Sequence, residues 1–525
     1  MLNGQLTPAT SNRVLRDSAL RTQATLSDSL APAPPQIDNG DEARYADKSG
    51  TYTKGVKQSG IGVVDPAAYL SFKKALSSGD PADFENIVLG GPRTLNGPQG
   101  GLAFYLDCKD SSQFVAPPAP ALASEEYATE LVELYWASLL RDVAFTDYPG
   151  TQVAKDAANE LSAMPGYKGP RDDATNKVTP ELLFRGKFDG EKLGPYISQF
   201  LSQDTAFGTL PIPQRYTTNE EKINFMLQDT EFMDVQNGID TGKKLTRVPD
   251  PRDPTKDALL YLHDGRGLAA YTHEDVLYEA YFIAFLLLSG MKAPANPGSP
   301  YVGSKTQNGF ASFGGPDFAG TLAAVAAEAI KAVWYHKWWV HLRHRPESGG
   351  AIVHLLKTGQ GASIQGHVSN TVLNSKAVQA SHAANNSYFL SQAFPEGSPT
   401  HPAYPTGHGT VAGACITVLK FFFDGAFTYP NPLVPKKDGS STENYTGPDA
   451  GSLTVNGELN KLASNISFGH GTIAGIHWRS DTDTSIQLGE DVALSYLRDR
   501  ARTYNEKFTI TLTKVDGTPA TISNP

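Results

Sequence analysis

The 525-residue sequence predicts a mainly α-helical protein with long loops and a small C-terminal β-hairpin. Three observations predict it. Apolar residues recur at helical spacing in several long segments, above all beyond about residue 270. The stretches between 150 and 260 are rich in Pro, Gly and Asp, and long loops of that kind usually build or cover a site. The chain ends on an alternating run, Lys507-Phe-Thr-Ile-Thr-Leu-Thr513, followed by Val515-Asp-Gly-Thr518, which reads as a hairpin with an Asp-Gly turn.

The elements follow in order. Residues 1–60 are polar and rich in Ser, Pro, Asp and Gly, with Ala31-Pro-Ala-Pro-Pro35 at their centre. They read as an extended or disordered arm, and either a wrap around a neighbouring subunit or a loose terminus fits. Residues 61–525 read as one helical domain. Ser124 is placed to cap a helix whose Leu131, Leu134, Tyr135, Leu139 and Leu140 share one face. Further helices are expected over His273–Leu288, ended by Ser289-Gly290, and over 320–344, 409–423 and 471–500. No tandem repeat is visible.

Composition narrows the function. Apolar content of 40% with 10% aromatics supports a sizeable core. The net charge of -10 and the lack of a basic block argue against a nucleic-acid partner. The longest apolar run, Tyr281–Leu288, is too short to span a bilayer. Two cysteines, Cys108 and Cys415, exclude a disulfide framework. The first twenty residues hold no apolar core, so the expectation is a soluble, cytoplasmic protein, with export by an unrecognised signal left open. No acidic loop of EF-hand type supports a structural calcium.

Chemistry concentrates in the second half. All twelve histidines lie at or after His263, and four of the five tryptophans fall in or beside three segments. The first is Lys337-Trp-Trp-Val-His-Leu-Arg-His-Arg345-Pro346. Lys337 and Arg345 are eight residues apart, about 80° around a helix, so both can face one side. Arg offers a planar fork to two oxygens of a tetrahedral anion, and Lys a point charge. The second is Pro405-Thr406-Gly407-His408-Gly409-Thr410, a loop entering an apolar helix. Backbone N–H groups there lack helical partners and suit an anion. The Thr406 hydroxyl adds a donor, Gly407 permits close approach, and His408 is placed to trade a proton. The third is Gly469-His470-Gly-Thr-Ile-Ala-Gly-Ile-His477-Trp-Arg-Ser-Asp481. Asp481, four residues after His477, can hold that imidazole in one tautomer, and His470 lies two turns back. Taken singly, a solvated basic face, a capped helix and an ordinary His–Asp pair explain the three segments about as well. Together and in this order they point to an oxyanion site.

The combination resembles the vanadium-dependent haloperoxidases, which share their site with type-2 phosphatidic acid phosphatases and bacterial class A acid phosphatases. Lys337-x7-Arg345-Pro346 has the spacing of the algal-type bromoperoxidases. Phe394-Pro-Glu-Gly-Ser-Pro-Thr-His-Pro-Ala-Tyr404 and Gly457-Glu-Leu-Asn-Lys-Leu-Ala463 are similar to them as well. The likeness spans roughly residues 270–515, the site-bearing part of the domain. It implies two four-helix bundles with the site at the end of one. It implies that His477 coordinates vanadium, and that Lys337, Arg345, Thr406 and the Gly407 amide bind vanadate oxygens. His408 would be the general acid/base and Lys337 would polarise the activated peroxide, while His401 and His336 would lie in the halide environment. Hydrogen peroxide would be co-substrate, bromide the halide, and an organic molecule the acceptor, in a homo-oligomer of large size.

Two positions depart from the family pattern. Thr406 replaces a serine. Six residues before His477 the pattern has Arg, and here stands Gly471, which leaves His470 as the nearest substitute and Arg479 as a poorer one. A histidine compensates only when protonated, so vanadate affinity is expected to depend strongly on pH. A phosphatase using the same pocket, and a non-catalytic anion-binding or assembly protein, are the competing readings.

Overall fold

The computed structural model describes residues 11–524. The first ten residues of the expected arm lie outside the described residues. Of the remainder, Arg13–Leu30 is a helix, α1, and the residues after it are packed rather than loose. Tyr52 and Val56 are buried against Trp338 and Leu342, and Lys54 donates to Glu347 at 2.7 Å inside the protein. A polar, proline-bearing sequence is ordered where it supplies buried partners to a distant element, as Tyr52, Lys54 and Val56 do.

Capping explains most helix starts. Asp65 accepts from Ala68 to open α2, Pro66–Ser78, and Ser124 accepts from Tyr127 to open α3, Glu125–Leu140. Helix α3 is buried almost throughout and packs against α4 (Gln152–Ala163), α8 (Pro346–Lys357) and α9 (Lys376–Asn385), the first helical group. The second is a bundle of α7 (Gly315–Tyr335), α10 (Gly407–Phe422), α11 (Val455–Phe468) and α12 (Arg479–Ala501), centred on α10. Helices α10 and α12 touch backbone to backbone. A Cβ on Gly413 would lie 2.0 Å from the Ile486 carbonyl oxygen, and one on Gly489 1.9 Å from that of Thr410. Strands β1 (Phe508–Thr513) and β2 (Pro519–Asn524) form the expected hairpin, with Phe508, Ile510 and Leu512 turned inward.

Three expected helices break. The stretch 273–288 is two helices, α5 (Gly265–Glu274) and α6 (Glu279–Gly290), with Asp275 extended between them. Helix α7 stops at Tyr335, a π-turn covers His336–His341, and Leu342 takes φ 42°. Arg345 is extended, as the residue before proline prefers, and Pro346 starts α8 instead of ending a helix. Helix α12 starts only at Arg479, after a π-turn over Gly469–Ile473 and a turn at Gly475 with φ 88°. Each break lies beside the cluster described next. Among the described residues no helix is long and apolar enough to cross a membrane.

Candidate active site

His477 stands one residue before the cap of α12. Its Nδ1–H donates to Asp481 Oδ2 at 2.9 Å, and the same oxygen accepts the Trp478 amide. A carboxylate at Nδ1 puts the lone pair on Nε2. There it accepts from Arg345 at 2.8 Å. His477 and Asp481 are therefore paired as the spacing suggested, but with the histidine outside the helix, not on its face.

Arg345 also donates to the carbonyls of His401 and Ile476, both at 2.9 Å, and its other nitrogen lies 3.0 Å from Nδ1 of His401. Lys337 donates to the carbonyls of Pro402 and Ala403, each at 2.8 Å. Both cations are fully buried, and among the described residues neither has a carboxylate within ion-pair distance. Neighbouring arginines differ. Arg343 bridges Asp481 at 2.7 Å and Glu130 at 2.8 Å, and Arg479 donates to Glu133 at 2.8 Å. Those carboxylates outweigh burial and raise both guanidinium pKa values. Burial lowers Arg345 to about 10, and burial followed by Arg345 drives Lys337 well below its ordinary value.

The other wall begins at α10. Thr406 caps that helix, and its buried hydroxyl has no hydrogen-bond partner among the described residues. His408 Nε2–H donates to Asp275 at 3.0 Å, and its ring stacks on His470 at 3.6 Å between centroids. His470 donates from Nδ1 to the Thr272 carbonyl at 3.1 Å, and its ring lies 5.9 Å from that of His477. His408 and His470 are partly exposed, so the cluster meets solvent on this side. Burial, then His408, His477 and Arg345, push His470 well below its ordinary pKa. Burial, then Arg345 and Lys337, does this to His477 and His401 too.

The structure thus gathers Lys337, Arg345, His401, Thr406, Gly407, His408, His470 and His477. His336 packs next to these residues in sequence, on other neighbours. That ring is buried against Tyr335 and His341, and neither nitrogen has a partner among the described residues. The turn of α7 that ends at Tyr335 puts Trp334, two residues before His336, beside the cluster. Its ring lies 4.8 Å from that of His401 at a tilt of 40° and 6.0 Å from the Lys337 ammonium, and it covers Gly407, where a Cβ would sit 3.3 Å from it. Sequence reasoning missed Trp334, Asp275, Arg343 and Glu130. The clustering of tryptophans near the motifs was the one available signal, and it did not single out a residue.

Gly471 has a geometric reason. A Cβ there would lie 2.9 Å from that of His477, because the π-turn folds back on the histidine. Its carbonyl accepts from the amides of Gly475 and Ile476 at 3.0 and 2.9 Å. An arginine does not fit at this position without moving His477.

A buried imidazole held in one tautomer, two cations lacking carboxylates and an unpartnered hydroxyl at a helix start are what a helical oxyanion-binding protein presents. Comparison with known proteins narrows the class. Residues 318–506 match the VCPO second helical-bundle domain. The vanadium-dependent bromoperoxidase of Corallina officinalis is 30% identical, with 92% of each chain covered. That of Ascophyllum nodosum is 32% identical, covering 90% of this chain and 86% of the relative. The homohexameric structure of the second vanadate-dependent bromoperoxidase from Ascophyllum nodosum superposes with a TM-score of 0.91 at 26% identity, over 99% of this chain and 93% of its own. The chain belongs to the vanadium-dependent bromoperoxidase family.

Proposed function

We propose that the protein is a vanadate-dependent peroxidase that oxidises bromide with hydrogen peroxide to a hypohalous species, which halogenates organic acceptors. The observation that carries it is the pair of buried cations, Lys337 and Arg345, held only by carbonyls and imidazoles. Two uncompensated charges in a desolvated pocket are stabilised by an anion. Residues here fit vanadate. His477 offers an Nε2 lone pair whose direction is fixed by Asp481, and Thr406 offers a buried hydroxyl with no other partner.

When bound, vanadate supplies a Lewis-acid centre that activates peroxide without a change in metal oxidation state. His477 Nε2 would be its anchor. Lys337, Arg345, Thr406 and the Gly407 amide would hold its oxygens, with His470 beside them. His408 is the acid/base. Asp275 holds its Nε2–H, leaving Nδ1 to take and return protons on the partly exposed side. Lys337 would supply positive charge beside the peroxide, which gains the electron density that bromide gives up. His401 and Trp334 form the wall a halide would meet. A homo-oligomeric assembly, as in the homohexameric relative, belongs to the same reading. So does a cytoplasmic location, which suits two buried, unpaired cysteines.

The test is bromination of a phenolic dye with bromide and peroxide, on protein incubated with or without orthovanadate. Activity is expected only with vanadate and is lost in His477→Ala. An inactive preparation that hydrolyses p-nitrophenyl phosphate would move the assignment to a phosphatase.

A further inference from the structure

Helix α1 has no buried residue along its 18 positions. An isolated helix of that length is marginal in water, so one that persists is held by packing. Two lines of residues run along it, on opposite sides at about 100° per residue. One is Leu20, Ala24 and Asp28, the less exposed side: Ala24 and Asp28 are partly buried. Near this end Gln113 donates to the carbonyls of Asp28 and Ala31 at 2.8 and 3.1 Å, tying the helix to the chain. The other line is Leu15, Ala19, Thr22, Leu26 and Leu30, and its leucines are 68%, 57% and 74% exposed.

The segment before Gln113 adds to this surface. Phe104 and Leu106 are 87% and 102% exposed. Tyr105 between them is anchored, donating to the Glu328 carbonyl at 3.3 Å under the Lys331 ammonium. Two large apolar side chains are thus displayed on a fixed stem.

We infer that the outward line of α1, with Phe104 and Leu106, is a docking surface for a second copy of this chain. The inference rests on the assembly reading above: the homohexameric relative covers 99% of this chain. The stripe itself points the same way. A narrow Leu–Ala–Thr–Leu line at spacings of four and three suits close helix packing against protein. A membrane surface is the poorer occupant. Helix α1 carries three arginines against two aspartates, about +1, on a chain of net charge -10, whereas interfacial helices present a strongly cationic face. In the docked state the leucines leave water and the helix gains the packing that its single-chain contacts do not supply.

The full chain is compared with Leu15→Glu/Leu26→Glu and with Phe104→Ser/Leu106→Ser by light scattering after size exclusion and by native mass spectrometry. All four positions are exposed, so both variants fold, which circular dichroism and an unchanged vanadate affinity verify. The wild type is expected to be an oligomer, and the α1 variant to lose subunits at the same concentration, with a smaller loss in the Phe104/Leu106 variant. An α1 variant that keeps the wild-type mass overturns the docking surface and leaves the assembly reading intact. A monomeric wild type overturns both. Wild-type binding to anionic phospholipid vesicles, abolished by the leucine substitutions while the mass is unchanged, would assign the stripe to membranes instead.

Discussion

Arg343 donates to Asp481 Oδ1 at 2.7 Å, while the other oxygen of that carboxylate holds Nδ1–H of His477 at 2.9 Å. The proposed vanadium anchor is thus the end of a buried chain running from Glu130 through Arg343 and Asp481. Replacing Arg343 with Met leaves two buried carboxylates facing each other. Breaking a buried pair costs roughly 3–5 kcal/mol, so denaturant unfolding should show a loss of that order. Loss of the group that orients a metal ligand weakens binding by about 10–100-fold. Arg343→Lys should recover part of both. Equilibrium dialysis with vanadate that shows unchanged affinity in Arg343→Met would break the link between this chain and the anchor.

Lys337 and Arg345 are expected to act on the anion and not on the fold. At vanadate about 100 times its dissociation constant, the wild type gains about 2.7 kcal/mol of stability. Each lost hydrogen bond to a charged group removes about 1.5–3 kcal/mol of binding. Lys337→Met and Arg345→Met should therefore lose most of the vanadate-induced rise in melting temperature at that concentration. A full rise in either variant would contradict the oxyanion assignment.

Asp275 reaches His408 from a break between α5 and α6. Its role is to hold one ring nitrogen while the other handles protons. Asp275→Asn should lower kcat by about 100-fold or more, within the range of general acid–base effects, and leave vanadate affinity within a few-fold. Loss of affinity without loss of kcat would reassign Asp275 to anion binding.

An arginine at position 471 should not improve anion binding. Gly471→Arg places a Cβ within 2.9 Å of that of His477. Overpacking of this kind costs about 1–3 kcal/mol. The displaced histidine should also bind vanadate less tightly, despite the added charge. A variant with tighter binding and wild-type stability would show that the π-turn yields at little cost.

Glu191 gives the stability a pH dependence. It is buried, held by the Ser464 hydroxyl at 2.5 Å and the Phe188 amide at 3.1 Å, and burial raises its pKa from 4.5 to about 7. A carboxyl whose folded pKa lies above its unfolded one favours the folded state when protonated. Its contribution is full below about pH 4.5 and is lost as the pH rises through about 7, an effect of at most roughly 3 kcal/mol. Glu191→Gln should therefore be more stable relative to wild type at pH 8 than at pH 5, as urea titrations would show. A constant difference between the two pH values would rule this out.

Sequence alone determined what is local. The Ser124 cap, the Asp516-Gly517 turn and the Thr406–Gly407 helix start follow from residue types a few positions apart, and all three stand in the structure. Residue type and order also marked the polar groups that gather round His477, since few arrangements use two cations, a glycine-rich helix start and paired histidines together. Tertiary structure decided the rest. Asp275 and His408 are 133 residues apart, and Arg343 and Glu130 213, distances at which chain periodicity carries no information. Residue order alone could not show that Trp334, at the end of its helix, would face His401, or that His336 would pack on His341. The physical reason is that hydrogen bonding along the backbone is set by neighbours in sequence, whereas a buried charge takes whichever partner packing brings within 3 Å. Arg343 and Arg479 found carboxylates there, and Lys337 and Arg345 did not.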